Sequence, residues 1–239
     1  MKIALVGYGK MGKIIESIAL QRGHIINLKI DIDNKDSFTK ENLQQCDIAI
    51  EFTGPNSAKE NIRNCFDAGI AVVSGSTGWL TDWEEIKNYC AKKNGSFLYA
   101  SNFSVGVNIF FELNKKLAQL MNGHKDYEVS MEEIHHTQKK DAPSGTAITL
   151  AEQILKETLC KKNWVNYSST NPLELVILSK REDPAHGTHS IKYSSIIDDI
   201  EITHTAHSRH GFAQGAVLAA EYLAGKTGIF SMKDVLGLY

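Results

Sequence analysis

Lys2 to Val6 (Lys-Ile-Ala-Leu-Val) is a short apolar run that stops at Gly7-Tyr8-Gly9-Lys10-Met11-Gly12, after which Ile14, Ile15, Ile18 and Ala19 recur at helical spacing. The order is strand, glycine turn, helix, and it commits the start of the chain to a βα unit. Gly7 permits the tight turn, Gly9 lets the backbone approach a pyrophosphate, and Gly12 lets the helix pack close to the strand, with Tyr8, Lys10 and Met11 filling the turn. A second apolar run, His24 to Ile30, ends at Asp31 and Asp33. That is about twenty residues past the glycines, where an acid meets the adenosine ribose hydroxyls of a dinucleotide. Asp31, at the strand tip, is the preferred acid, and a plain turn acid is the alternative. An acid here repels a 2′-phosphate and Ile32 supplies no arginine, so NADH is favoured, while Lys35 leaves NADPH open.

The alternation continues along the first half. Asp47 to Phe52, Ile70 to Ser74 and Phe97 to Ala100 read as strands, and Ser57 to Ala68 and Thr81 to Asn94 as helices. Asp82, Glu84 and Glu85 suit the positive end of the second helix. Five strands alternating with helices predict an α/β, Rossmann-like doubly wound parallel sheet. Such sheets bind ligands beyond the carboxyl ends of their strands. Phe52 and Thr53 lie there, as does the glycine-hydroxyl loop Gly75-Ser76-Thr77-Gly78, which can fold around nicotinamide or its ribose but is also ordinary turn chemistry.

At 239 residues the chain exceeds a typical single domain. A formal net charge of −2 gives no field to recruit nucleic acid or an anionic membrane, so partners must be sought in sites. The N-terminus runs straight into the first strand, with neither a signal peptide nor a membrane-length apolar run, and a cytoplasmic protein is expected. Cys46, Cys65, Cys90 and Cys160 make no CxxC pair, which argues against a zinc site and a disulfide framework.

The second half turns on Glu133-Ile134-His135-His136-Thr137-Gln138-Lys139-Lys140-Asp141-Ala142-Pro143-Ser144-Gly145-Thr146-Ala147. Val129 to Ile134 extends as a strand, and from Ala147 the apolar residues Ile148, Ala151, Leu155 and Leu159 are helically spaced. A strand therefore delivers two histidines and a lysine to a loop that enters a helix. The first amides of a helix lack internal partners and carry the positive end of its dipole, so they hold carboxylate or phosphate. Gly145 lets an anion come close, and Ser144 and Thr146 either add donors or cap the helix. His135 and His136, neighbours on an extended segment, point to opposite faces, so one acts on a reacting centre while the other binds or packs.

Beyond this helix, Leu173 to Ser179, Gly187 to Tyr193 and Ile200 to His207 are β-rich without intervening helices, which predicts an α+β domain with a mixed or antiparallel sheet and a face for oligomerisation. Ser104-Val105 marks the boundary. The expected division is 1–104 with 209–239 for the dinucleotide, and 105–208 for substrate and assembly. Arg209 lies where the chain recrosses, and either helps bind cofactor or latches the hinge. His204, His207 and His210, and His186 with His189, are spaced in threes; a strand splays such a set, and no metal is expected. Trp79, Trp83 and Trp164 read as packing residues, since no basic stripe accompanies them.

Glu133 to Ala147 resembles, without a gap, the E-x-H-H-x-x-K-x-D-A-P-S-G-T-A signature of the 4-hydroxy-tetrahydrodipicolinate reductases, or dihydrodipicolinate reductases. Gly75 to Gly78 resembles that family's G-T-T-G, and Ala100 to Val107 its A-x-N-F-S-x-G-V. The resemblance implies that Ala100, Ser101, Asn102 and Phe103 touch nicotinamide, that NADH or NADPH delivers hydride to a cyclic imine carrying two carboxylates, and that the product enters diaminopimelate and lysine synthesis. It further implies that His135 and Lys139 carry the proton chemistry, either one delivering the proton, beside a substrate site of His136, Ser144, Gly145 and Thr146. A homotetramer formed through the second sheet is implied as well. The Arg181 to His189 region looks shortened against many relatives, which leaves a dimer open. Two rivals stand beside this reading: another Rossmann-type oxidoreductase acting on an amino acid or sugar, and a non-catalytic nicotinamide-nucleotide sensor.

Overall fold

Strands apolar on every residue belong at the centre of a sheet covered on both faces, and the first half of the chain supplies them. The computed structural model describes residues 1–239. It opens with β1 (Lys2–Val6), α1 (Lys10–Gln21), β2 (Ile25–Ile30), α2 (Lys40–Leu43), β3 (Ile48–Glu51), α3 (Pro55–Ala68), β4 (Ala71–Ser74), α4 (Trp83–Lys92) and β5 (Ser96–Tyr99). There follow α5 (Val105–Met121), β6 (Glu128–His135), α6 (Gly145–Glu157), β7 (Asn163–Val165), β8 (Glu174–Arg181), β9 (Thr188–Ser194) and β10 (Asp199–Thr205). The chain closes with α7 (His210–Leu223), β11 (Gly228–Phe230) and α8 (Met232–Leu236). Its contacts divide it into Met1–Val105 with His210–Tyr239, and Gly106–Arg209.

The first unit is a parallel sheet in the order β11-β5-β4-β3-β1-β2. Ile3 and Leu5 of β1 face a core shared with α1, α7 and α8, while Ala4 and Val6 face one shared with α3 and α4. Strand order reverses between β1 and β3, which is where a doubly wound sheet opens a crevice. The expected five strands are joined by a sixth, β11. Only three residues long, it carries no strand signal of its own in the sequence; pairing with β5 makes it a strand.

The second unit is a mixed sheet in the order β10-β9-β6-β8-β7, with β6 parallel to β8 and antiparallel to β9. Val129, Met131, Glu133 and His135 of β6 are the buried face, and the apolar pair joins Phe110, Leu150 and Ile154 in a core with α5 and α6. Glu133 and His135 thus continue an inward-facing row into polar territory.

Candidate active site

In the first unit the three glycines meet three different demands. Gly7 has φ +96°, and a Cβ there would lie 2.1 Å from the Phe52 carbonyl oxygen; at Gly12 it would lie 2.4 Å from the Gly7 carbonyl oxygen. Both therefore close the turn against the sheet. Gly9 has nothing within 4 Å of its Cβ position and is the N-cap residue of α1, with no side chain capping the helix. This open, uncapped helix mouth fits a pyrophosphate. It borders a cavity of about 480 Å³ lined by Gly9, Lys10, Met11, Phe52, Thr53, Gly54, Pro55, Gly75, Ser76 and Thr77, between the ends of β1, β3 and β4. Tyr8 lies beside that mouth, its hydroxyl on Glu16 and its ring under Lys29.

Asp31 is exposed at the end of β2 and caps a 3-10 turn over Ile32–Ser37, where its carboxylate accepts the Ile32 N–H at 2.8 Å. The turn-acid role is therefore present, and it holds the carboxylate at the strand tip. Ala100, Ser101, Asn102 and Phe103 follow β5, and the Phe103 ring lies 5.6 Å from that of Phe52. The loops are braced from beneath by a residue not anticipated from sequence. Glu51, wholly buried at the last position of β3, accepts the Ser74 hydroxyl at 2.6 Å, the Ser76 hydroxyl at 2.7 Å and the Thr53 N–H at 3.0 Å, besides the Thr53 hydroxyl. One carboxylate thereby ties the loop after β3 to the loop after β4. Trp79 is core, donating its indole N–H to the Ser76 carbonyl at 2.7 Å and packing with Trp83, Phe97 and Tyr99.

In the second unit the sheet register builds the site. Glu133 lies opposite Ser179 on β8 and His189 on β9, and His135 lies opposite Arg181. Glu133 is wholly buried; its oxygens accept the Ser179 hydroxyl at 2.7 Å and the Ser144 N–H at 3.1 Å, with Arg181 Nη2 at 3.4 Å. Its Oε2 is 3.5 Å from His135 Nδ1 and 3.7 Å from His189 Nε2. The imidazoles meet edge to face at 5.1 Å. A one-residue slip of β6 would turn this whole set to the opposite face.

The loop to α6 is held by the same arginine, which donates to the carbonyls of Asp141 at 2.6 Å and Lys139 at 3.3 Å. Lys139 Nζ pairs with Asp141 at 2.8 Å. Ser144 caps the helix: its hydroxyl accepts the Ala147 N–H at 3.2 Å and lies 3.1 Å from His189 Nε2, while its own N–H goes to Glu133. Gly145 and Thr146 open the helix, and no Cβ obstacle lies within 4 Å of Gly145. His136 follows the strand and is less buried than His135; Arg209 is exposed and closes the second unit.

Charge in this cluster is set by burial first. Burial opposes the Glu133 carboxylate, but the Ser144 and Ser179 hydroxyls, the Ser144 amide and His135 outweigh it and hold its pKa below the ordinary range. Burial pushes His135 down; Glu133 pulls it back up, and Lys139 and Arg181 add to the lowering. Burial and the facing His135 push His189 down to about 4, so it is neutral at working pH. Glu133, His135 and His189 place one ligand atom each within 4.8 Å of one another, a different set from the histidine spacings in the sequence. The Arg181 and Lys139 cations oppose a divalent ion there. His204, by contrast, packs on the Phe110 ring at 5.9 Å.

The convergence of Ser179, Arg181 and His189 on Glu133 is not among the expectations from sequence. Glu133 and His135 are two apart on a strand and so share a face, a signal that was available; the other three depend on register.

Comparison with known proteins agrees over the whole chain. The family descriptions "Dihydrodipicolinate reductase, N-terminus" and "Dihydrodipicolinate reductase, C-terminus" match residues 1–103 and 106–236. A 4-hydroxy-tetrahydrodipicolinate reductase of Christiangramia forsetii is 55% identical over 238 residues, covering 99% of this chain and 98% of that protein. A dipicolinate-bound dihydrodipicolinate reductase structure from Paenisporosarcina sp. TG-14 superposes with TM-score 0.77 at 19% identity, covering 98% of each chain. The scyllo-inositol dehydrogenase of Lactobacillus casei, solved with NAD(H) and scyllo-inositol, shares the fold at TM-score 0.55 and 14% identity, over 99% of this chain and 93% of that one.

Proposed function

The chain belongs to the dihydrodipicolinate reductase family, and from that premise we propose that it reduces 4-hydroxy-tetrahydrodipicolinate, through the dihydrodipicolinate imine, to tetrahydrodipicolinate for diaminopimelate and lysine synthesis. A reduced nicotinamide, when bound, supplies hydride. Gly7 to Gly12, Asp31, Phe52, Thr53, Gly75 to Thr77 and Ala100 to Phe103 are the residues that hold NADH or NADPH. Asp31 followed by Ile32 favours NADH, and Lys35 keeps NADPH possible.

The observation that carries the reading is one carboxylate shared between a helix mouth and an imidazole, with Glu133 accepting the Ser144 N–H and facing His135. The amides of Gly145 and Thr146 receive a substrate carboxylate, and His136 and Lys139 orient it and balance its charge. Hydride addition leaves electron density that a proton must quench. His135 supplies that proton, and its lowered pKa makes the proton easy to surrender. Lys139 serves as second donor or as an electrostatic stabiliser. Ser144 acts from behind, as the cap that shapes the mouth.

We assign the protein to the cytoplasm as a homotetramer. No helix is long and apolar enough to cross a membrane, and Ile196, Ile197 and Ile200 beside and on β10 leave an exposed apolar edge that assembly would cover. The test follows NADH and NADPH absorbance with the product of the preceding aldolase-type condensation, beside amino-acid and sugar substrates. Oxidation with the dicarboxylate imine is expected. Oxidation only with an amino acid or sugar, or NADH binding without turnover on the imine, would overturn the reading.

A further inference from the structure

We infer that Glu133 is the positioning residue of the reaction: it fixes the tautomer and aim of His135 and, through the Ser144 amide, holds the mouth of α6 at a set place relative to that imidazole. The inference rests on the reading of His135 as proton donor.

Three observations carry it. Glu133 sits at the register position shared by β6, β8 and β9, so Ser179 and His189 reach it from both neighbouring strands. Its two oxygens each accept the Ser144 N–H at 3.1 Å, which ties the strand to the first residue before the helix. His135 Nδ1 is sealed from solvent without a hydrogen-bond partner, and a Glu133 carboxylate oxygen lies 3.5 Å away. A buried N–H left alone is costly, so a proton on Nδ1 belongs against that carboxylate. Nε2 then carries the transferable proton, on the side where Gly187 has φ +147° and where a Cβ would come within 3.1 Å of Nε2. Gly187 thus leaves that edge of the ring uncovered by any side chain of its own.

His189 takes a different part. Neutral, edge-on to His135 and hydrogen-bonded to Ser144, it packs the pair without competing for the proton. The charged and titratable groups facing His135 are Glu133 and Asp141, which raise its pKa, and Lys139 and Arg181, which lower it, with His189 alongside. Replacing Glu133 by Gln removes the largest raising influence. A donor must be protonated to act, so turnover falls as pH rises through its pKa, and a lower pKa moves that fall to lower pH.

The experiment is histidine 15N NMR and a kcat/KM pH profile on the full-length enzyme, wild type and Glu133→Gln, with Glu133→Asp as the conservative variant. The wild type is expected to show neutral His135 as the Nδ1–H tautomer; an Nε2–H tautomer overturns the inference, and this needs no variant to fold. Glu133→Gln is expected to bring the alkaline limb down by about one pH unit and turnover down about tenfold or more, with NADH affinity unchanged and partial rescue in Glu133→Asp. A limb that stays in place overturns it. His135→Gln, assayed alongside, separates the two ideas: full activity there removes His135 from the mechanism, whereas an inactive His135→Gln with an unmoved Glu133→Gln profile removes only Glu133.

Discussion

Each unit buries one carboxylate completely on a central strand, Glu51 at the last position of β3 and Glu133 two residues before the end of β6, and the two are surrounded differently. Glu51 meets only neutral donors, the hydroxyls of Thr53, Ser74 and Ser76 and one amide. Glu133 meets hydroxyl and amide too, but also Arg181 and two imidazoles. Neutral hydrogen bonds fix where loops go; titratable neighbours turn a buried charge into a device for handling protons. The same residue type therefore braces two loops in the first unit, and in the second sits among the groups to which the proposed function gives the proton chemistry.

The sharpest way to break this comparison is His135→Gln. It is expected to lower turnover by about a hundredfold or more and to leave NADH affinity alone, in steady-state kinetics and a fluorescence titration. Lys139→Ala comes next, with about tenfold or greater losses in both kcat and substrate affinity; a defect confined to the cofactor would contradict its place on the substrate side. Glu51→Gln should do the reverse. It replaces an acceptor of several donors by an amide, and is expected to weaken NADH binding by about tenfold while kcat changes little. A fall in kcat at unchanged affinity would erase the distinction between the two carboxylates. The smallest effect expected is in Asp31→Asn, a few-fold shift of the kcat/KM ratio from NADH toward NADPH as the charge opposing a 2′-phosphate is removed.

How much of this was legible in the sequence differs between the units for the same reason. The first is built from local signals. β1, its glycine turn and α1 follow from residues a few positions apart, and the strand from Lys2 to Val6 lies where the apolar run predicts it. The helix expected over Thr81 to Asn94 begins instead as a 3-10 turn at Leu80–Asp82 and becomes α-helical at Trp83, with Glu84 and Glu85 in the first turn of the α-helix as the dipole favours. β7 and β11, three residues each, are strands only because a neighbour pairs with them. In the second unit the run from Glu133 to Ala147 announced its strand, loop and helix mouth. The approach of Ser179 and His189 to Glu133 was not legible, because what brings them there is cross-strand register, which no single segment encodes. Glu51 was hidden differently: an acid inside an apolar strand reads as noise until hydroxyls from the next two loops are seen to converge on it.

The grip of the α6 mouth on a carboxylate is tested most directly by calorimetric titration of pyridine-2,6-dicarboxylate into the wild type and Gly145→Pro. Proline suits the first position of a helix, and the extended Ser144 ahead of it, at φ −69° and ψ 156°, accommodates the ring, so the substitution removes one amide donor and little else. Affinity for the dicarboxylate is expected to fall about tenfold or more with NADH binding intact. Equal affinity in the two proteins would contradict the claim.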